Sequence, residues 1–313
     1  MRESIKNFRI GVLAGGRSAE REISIKTGNA VAGSLKESGY NVITFDLDEN
    51  FVENLKNIDV CFIALHGTYG EDGRVQGALD IFGIPYTGSG VLASALAMDK
   101  IKSKALFSFY GLKTPPGIAV KAGEKRELLM EKLEHADIKP PYFIKPNASG
   151  SSIGCGIVHK EEELANALNN AFKYDDEVLI EKYIKGREIQ FAAAFGKPLG
   201  CVEVKPKDIF YSYDAKYTKG MTEYLINPEL TQEEYDECET AALKANEIIG
   251  CKGVSRTDII LSCESSAYIL EINTLPGLTE LSLVPMIAGN KGISFNRLIE
   301  DIIEDAVIKK EKQ

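Results

Sequence analysis

The sequence lacks the patterns that mark several common classes of protein. Its six cysteines include no pair separated by two residues, so we expect reduced thiols and no zinc site. No stretch approaches the roughly 18 consecutive apolar residues that cross a membrane. The apolar run near the start is short and charged residues follow it at once, which argues against a signal peptide. We therefore expect a cytoplasmic protein with no membrane partner.

An excess of basic charge is also missing. The formal net charge is −9, from 37 Lys and Arg against 46 Asp and Glu. Because binding to nucleic-acid phosphates needs a basic surface, we expect no nucleic-acid partner. What the chain has is the composition of a soluble globular protein, 44% hydrophobic and 27% charged. Its 313 residues are enough for two or three domains.

The order of strand-like and helix-like patterns divides the chain into three predicted units. Residues 1–98 alternate apolar strands with helices, which is typical of a parallel α/β sheet, and Ser18 and Gly39 are the expected cap and stop of the first helix. Residues 99–183 mix helices and strands without that alternation, which indicates a small α+β domain. Residues 184–313 contain further strands, a long helix and a hairpin. The predicted fold class is a mixed α/β, multidomain protein.

The predicted hairpin carries polar side chains within an apolar pattern. Glu271 and Asn273 interrupt the strand in "YILEINTLPGL" and, two positions apart, point to the same face. A turn centred on residues 264–265 would place Asp258 opposite Glu271. The same register would place Arg256 opposite Asn273. Facing carboxylates destabilise a hairpin unless a cation lies between them, and carboxylate and amide oxygens suit Mg²⁺. The alternative is an exposed strand face with no ligand.

Three glycine-rich stretches compete as phosphate-binding sites. Residues 14–20 lie at a strand-to-helix junction, where backbone N–H groups can bind an anion. Residues 88–93 match a dinucleotide pattern, but they lack a strong preceding strand and an acidic residue about 20 positions later. Residues 144–158 form a Gly/Ser loop led by Lys145 that can fold over phosphates, unless it is an ordinary surface hairpin. The strand in residues 176–188 could present adenine and ribose contacts, or its glutamates could simply be solvated.

Seven motifs, taken in order, resemble the D-alanine–D-alanine ligase family of the ATP-grasp superfamily. They are "AGGRSAEREIS" (14–24), "LHGTYGEDGRVQG" (65–77), "MDK" (98–100), "IKPNASGSSIG" (144–154), "YDAKYTKG" (213–220), "SRTDIIL" (255–261) and "EINTLPGLTELSLVP" (271–285). The match covers essentially the whole chain. It implies an ATP-grasp fold with an N-terminal parallel α/β domain, and ATP between the central and C-terminal units.

The resemblance also implies roles for the residues at matching positions. The implied ATP contacts are Lys100, Lys145, Ser151, Glu181, Ile184, Glu188 and Lys216. The implied metal ligands are Asp258, Glu271 and Asn273, which would hold two ions of Mg²⁺, with Mn²⁺ as the alternative. The implied substrate contacts are Glu20 on the first ammonium, His66, the oxyanion donors Arg256 and Gly277, and Ser282 and Leu283 in the second pocket. The implied catalytic residues are Glu20, Ser151, Tyr217, Arg256 and Gly277.

The implied activity is the ligation of two D-alanines to D-alanyl-D-alanine for peptidoglycan precursors. ATP is the co-substrate, an acyl phosphate the intermediate, and a homodimer the usual assembly. Tyr217 resembles the residue of dipeptide-forming enzymes, and residues 147–154 and 208–220 are expected to close as lids. Two alternatives stay open: an ATP-grasp ligase for other substrates, and a nucleotide-binding protein that has lost catalysis.

Overall fold

The N-terminal part of the chain contains a three-stranded parallel sheet. A computed structural model describes residues 5–207 and 220–310. The sheet has the order β2-β1-β3, which confirms the predicted parallel arrangement. Its strands are β1 (Arg9–Leu13), β2 (Asn41–Phe45) and β3 (Val60–Ile63), and the helices that follow them are α1 (Arg21–Glu37), α2 (Phe51–Leu55), α3 (Arg74–Ile81) and α4 (Val91–Met98). The apolar runs of β1 and β3 are buried because helices cover this sheet.

The predicted cap of the first helix is wrong. Helix α1 begins at Arg21, after Glu20, and Ser18 lies outside it. The Ser18 hydroxyl donates to the carbonyl of His66 at 2.7 Å and accepts from the amide of Glu20 at 3.2 Å. A contact across 48 residues therefore uses the side chain that the local pattern assigned to capping. At the other end, the helix stops before Gly39, which has φ +84°.

The middle of the chain contains a four-stranded antiparallel sheet with the order β4-β7-β5-β6. Its strands are β4 (Gly117–Lys121), β5 (Tyr142–Pro146), β6 (Gly156–Val158) and β7 (Glu177–Lys182). The helices here are α5 (Lys100–Phe109), α6 (Arg126–His135), a 3₁₀ turn (Glu161–Glu163) and α7 (Leu164–Ala171). Helix α5 is capped by the Asp99 carboxylate, which accepts from the Lys102 amide.

The third sheet is antiparallel and five-stranded, with the order β10-β9-β8-β11-β12. Its strands are β8 (Gly186–Ala194), β9 (Lys197–Pro206), β10 (Thr222–Ile226), β11 (Val254–Ser262) and β12 (Ala267–Asn273). Its helices are α8 (Gln232–Ile249), α9 (Leu283–Asn290) and α10 (Phe295–Lys310). Phe107 of α5 is buried in the core between α8 and this sheet, so α5 packs on the third sheet although it precedes the second.

One apolar core joins the first and third sheets. Ile10 and Val12 of β1 belong to the same cluster as Val202 of β9 and the buried face of α10, including Ile299 and Ile303. This packing brings the carboxyl ends of β1 and β3 to the open end of the β11–β12 hairpin, opposite its turn. Among the described residues, no helix is both long and apolar enough to cross a membrane.

Candidate active site

Two neighbouring cavities lie where the three sheets meet. The first has a volume of about 420 Å³ and lies between the first and third sheets. Of the predicted residues, it is lined by Glu20, His66, Ser151, Arg256, Asn273, Gly277, Ser282 and Leu283. The second has a volume of about 200 Å³, lies between the second and third sheets, and is lined by Lys145, Glu181, Ile184, Glu188 and Asp258. Lys100 and Glu271 line both cavities, so the predicted substrate and ATP residues meet at these two side chains.

The hairpin at this junction has the register predicted from the sequence. Asp258 pairs with Glu271, and Arg256 pairs with Asn273. A bulge follows immediately, between Asp258 and Ile259, and shifts the register of the remaining pairs. The two carboxylates, the amide and the guanidinium therefore occupy one sheet face, as the i, i+2 pattern requires.

Each of the two facing carboxylates of the hairpin has a cationic partner. Arg256 forms a bidentate ion pair with Asp258, with Nε–Oδ1 at 2.7 Å and Nη2–Oδ2 at 2.8 Å. Lys100 Nζ lies 3.2 Å from Glu271 Oε2. Lys100 also donates to the carbonyl of Ser149 at 2.9 Å, which ties the Gly/Ser loop to the hairpin. These contacts offset the repulsion between two carboxylates that face each other across the strands.

The donor set of the hairpin fits a hard divalent cation. Asp258 and Glu271 supply carboxylate oxygens and Asn273 supplies an amide oxygen, which are the ligands that Mg²⁺ and Mn²⁺ accept. Within residues 5–207 and 220–310, no three His, Cys, Asp or Glu side chains cluster as a metal site, so the amide is needed as the third donor. Asn273 Oδ1 accepts from the Leu275 amide at 2.8 Å, and a carbonyl oxygen keeps a second lone pair.

A buried cluster of charges forms the floor of the second cavity. Glu181 is 1% exposed, and its two oxygens lie 2.7 Å from the Nζ atoms of Lys104 and Lys145. Burial alone would raise the pKa of Glu181, but the two ammonium groups hold that pKa below its ordinary value. Burial would lower the pKa of Lys145, yet the charge of Glu181 raises it. The sequence analysis did not predict a role for Lys104, although this residue lies one helical turn after Lys100 in "MDKIKSK".

Two loops converge on Glu20 at the first cavity. The Ser151 hydroxyl donates to Glu20 Oε1, which joins the Gly/Ser loop to the start of α1. Gly67 has φ +68°, and a Cβ there would lie 2.6 Å from Glu20 Oε2. A Cβ at Gly150 would lie 3.0 Å from the same oxygen. A side chain at either glycine would therefore displace the Glu20 carboxylate from its present position.

His66 is buried at the edge of the first cavity between two polar partners. Its Nε2 lies 3.0 Å from Thr27 Oγ1, and its Nδ1 lies 3.3 Å from Glu71 Oε1. These contacts fix the orientation of the imidazole ring. The sequence reading did not single out Thr27 or Glu71, although Glu71 is part of the quoted motif "LHGTYGEDGRVQG".

The segment after the hairpin forms a tight turn beside the same cavity. Ser282 immediately precedes α9, and its hydroxyl accepts from the Thr279 amide at 3.0 Å. A Cβ at Gly277 would lie 3.1 Å from this hydroxyl, so the glycine permits the close turn. Leu283 begins α9 and packs on the core shared by the first and third sheets.

The opposite wall of the second cavity comes from the β7–β8 connection. Ile184 lies in the connector, and Glu188 lies within β8. Gln190, which is fully buried, donates through Nε2 to Glu188 Oε1 at 3.1 Å. Gln190 was also missed, although it is two positions from Glu188 and so points to the same face. It pairs with Asp258 across the sheet.

Several sequence predictions concern other parts of the site. Lys216 and Tyr217 lie outside the described residues, as does most of the predicted lid at 208–220. At the anion site predicted at residues 14–20, the two glycine amides already have acceptors within the protein. Gly15 N–H donates to the Ser24 hydroxyl at 2.8 Å, and Gly16 N–H donates to the Asp46 carboxylate.

Family models and similar proteins identify the same family along nearly the whole chain. A family model described as "D-ala D-ala ligase C-terminus" matches residues 106–304, and one described as "D-ala D-ala ligase N-terminus" matches residues 48–89. The D-alanine–D-alanine ligase of Geotalea uraniireducens (strain Rf4) is 46% identical over 98% of this chain and 98% of its own. That of Citrifermentans bemidjiense is 44% identical over 98% and 99%.

Solved structures agree as well. The D-alanine–D-alanine ligase from Bacillus anthracis complexed with ATP superposes with a TM-score of 0.85 at 36% identity, covering 97% of this chain and 99% of that one. The VanG D-Ala:D-Ser ligase from Enterococcus faecalis gives 0.84 at 28% identity, covering 96% and 99%. This chain therefore shares its fold with ligases that are named for different pairs of amino acids.

Proposed function

Because this chain belongs to the D-alanine–D-alanine ligase family, we propose that the first cavity binds two D-alanines and the second binds ATP. The activity is ATP-dependent ligation to D-alanyl-D-alanine for peptidoglycan synthesis. The observation that carries the assignment is the junction of the cavities at Lys100 and Glu271, beside the facing carboxylate of Asp258. The reacting carboxylate and the γ-phosphoryl group have to meet at such a point.

The first step needs cancellation of negative charge. A carboxylate is a poor acyl donor, and phosphorylation by ATP converts it into an acyl phosphate that an amine can attack. Both reactants are anionic, and Lys100 and Lys145 would bind the nucleotide phosphates. A divalent cation on Asp258, Glu271 and Asn273 would neutralise charge on the transferred phosphoryl group. For this cation we propose Mg²⁺, with Mn²⁺ as the alternative, and two ions per site.

The second step needs donors for an oxyanion. When the second amine attacks the acyl phosphate, negative charge develops on the carbonyl oxygen before phosphate leaves. Arg256 and the Gly277 N–H line the first cavity and would donate to this oxygen. Two N–H groups of the Arg256 guanidinium donate to Asp258. Because a guanidinium has five N–H groups, Arg256 can donate to Asp258 and to the oxyanion at the same time. Glu20, oriented by Ser151, would hold the first ammonium.

We also propose the units 1–98, 99–183 and 184–313 as domains, since each sheet lies within one of them. Helix α5 then crosses from the second unit to the core of the third. The proposed assembly is a homodimer, and light scattering after size-exclusion chromatography would give about twice the chain mass of 34.3 kDa.

The test of function is phosphate release from Mg·ATP, with identification of the product. We expect release to require D-alanine and to yield D-alanyl-D-alanine, with no response to L-alanine. D-serine and D-lactate, each added together with D-alanine, test the acceptor. If a product with D-serine or D-lactate forms in preference to D-alanyl-D-alanine, D-alanine is rejected as the second substrate. If ATP binds but none of these compounds causes phosphate release, the result would favour another ATP-grasp ligase or an inactive homologue.

A further inference from the structure

Lys104 is a buried lysine that contacts both sheets that border the second cavity without lining the cavity itself. It is 7% exposed on α5. Its Nζ lies 2.7 Å from Glu181 Oε1 on β7 and donates to the Ile269 carbonyl on β12 at 3.3 Å. Glu181 belongs to the second sheet and Ile269 to the third. Lys104 therefore lies behind the cavity and links the two sheets that form it.

The buried cluster around Lys104 carries unequal charge. When both lysines are protonated, the ammonium groups of Lys104 and Lys145 share the single carboxylate of Glu181, and all three residues are less than 9% exposed. Glu271 also acts on Lys145, but it lies outside this cluster and is paired with Lys100. Buried charge is costly unless it is paired, so one positive charge of the cluster then lacks an anion within it. Lys145 and Glu181 line the cavity proposed for ATP, and the triphosphate would supply the missing negative charge.

The same imbalance affects the protonation of Lys104. Burial lowers its pKa to about 7, the charge of Glu181 offsets part of that effect, and the charge of Lys145 adds to it. The charged groups that face Lys104 are Glu181 from β7 and Lys145 from β5, while β12 presents a carbonyl. An anion bound beside Lys145 reduces the repulsion between the two ammonium groups and so favours the protonated form of Lys104.

We propose that Lys104 is a positioning residue for the nucleotide, which holds Glu181 against Lys145 and takes up a proton from solvent when ATP binds. The inference rests on the proposed function, because it assumes that the second cavity binds ATP. The proton moves from water or buffer to the Lys104 amine, and no other bond forms or breaks. The contact is indirect, through Glu181 and Lys145, so Lys104 touches no reacting atom.

The experiment is calorimetric titration of the full chain with Mg·ATP at pH 8.0, without D-alanine, in Tris and in HEPES. These buffers differ in ionisation enthalpy, so the difference between the observed heats gives the protons taken up per ATP. At this pH the nucleotide phosphates are almost fully ionised, because their last pKa is about 6. A lysine with a pKa of about 7 is then roughly nine-tenths neutral, so we expect uptake of more than ~0.5 proton.

Three variants separate the effect of Lys104 from other causes. Lys104→Met should abolish the uptake and weaken ATP binding about 10-fold, equivalent to about 1.4 kcal/mol. Lys104→Arg keeps a charge that cannot be lost, so it should abolish the uptake yet hold ATP affinity within about threefold. Lys102→Met is the matched control, because Lys102 is an exposed lysine on the same helix. It should behave as the wild type.

Steady-state kinetics supply a readout that general destabilisation would not produce. Lys104→Met should raise the KM for ATP while the KM for D-alanine and kcat stay within about threefold. ATP binding to the wild type without proton uptake would overturn the inference, even if the variants fail to fold. Unchanged uptake in folded Lys104→Met would also overturn it. No ATP binding at all to the wild type would overturn the proposed function itself, and this inference with it.

Discussion

Replacement of Glu271 by glutamine separates the proposed metal site from a purely structural ion pair. In the structure, Glu271 faces Asp258 across the hairpin and lies 3.2 Å from the Lys100 ammonium. The substitution removes the ion pair and also removes the repulsion from Asp258. Lys100 keeps the carbonyl of Ser149 as an acceptor at 2.9 Å. Lys100 is 6% exposed, so the loss of its carboxylate partner outweighs the relief of repulsion, and we expect the free energy of unfolding to fall by about 1–2 kcal/mol.

The same substitution is expected to weaken metal binding. Loss of a group that merely orients a metal ligand costs about 10–100-fold in affinity, so loss of the ligand itself should cost at least about 100-fold. We expect kcat/KM for ATP to fall by about 10²–10³-fold, the range seen when one transition-state donor is removed. Water-proton relaxation with Mn²⁺ measures metal bound to the protein, and urea unfolding measures stability.

The control for this substitution is Glu264→Gln. Glu264 is exposed in the turn of the same hairpin, so its replacement removes one negative charge far from the carboxylate pair. We expect metal affinity and activity to stay within about twofold, since a single exposed charge contributes little. Unchanged Mn²⁺ affinity in Glu271→Gln, combined with a large loss of stability, would refute the assignment of Glu271 as a metal ligand.

Three further predictions test other parts of the site. Ser151→Ala removes the hydroxyl that orients Glu20, so steady-state kinetics should show the KM for D-alanine raised about 10-fold; a rise only in the KM for ATP would place Ser151 on the nucleotide instead. Gly67→Ala should lower stability by about 1–2 kcal/mol and lower activity at least about 10-fold, because the new Cβ meets Glu20. Gly83→Ala, at φ +66° with open space around it, should show the stability loss alone in thermal unfolding and assay, and equal activity in the two variants would contradict the steric argument. The pKa of Lys104 is about 7 in the folded chain and about 10.4 in the unfolded chain, so between these pH values the unfolded chain binds more protons. The free energy of unfolding of the wild type, relative to that of Lys104→Met, should therefore rise from pH 7 to pH 9. Urea unfolding measures it, and an equal difference between the two proteins at both pH values would contradict this prediction.

Features that depend on neighbouring residues could be predicted from the sequence. The register of Asp258 with Glu271 follows from strand alternation and a short polar turn, and the structure has that register. The parallel arrangement of β1, β2 and β3 follows from the alternation of strands with helices, because a parallel connection needs a crossover. In both cases the pattern that determines the structure lies within a few tens of residues.

Features that depend on contacts between distant residues could not be predicted from the sequence. Ser18 has the side chain of a helix cap, but its hydroxyl bonds to His66, 48 residues away. Lys104 looks like one of several helix lysines, and its burial depends on Glu181 from one sheet and Ile269 from another. No local pattern distinguishes it from the exposed Lys102 two positions earlier.

The identity of the chemical groups, and which of them share a strand face or a motif, follows from the sequence alone. Alternation along strands and the spacing of polar residues are local properties, so the hairpin with its carboxylates could be predicted without a structure. Which groups meet across the sheets depends on the tertiary packing. Ser151 reaches Glu20 over 131 residues, and Lys104 reaches Ile269 over 165. Such contacts depend on how helices and sheets pack, and packing is set by the whole apolar core rather than by any one segment.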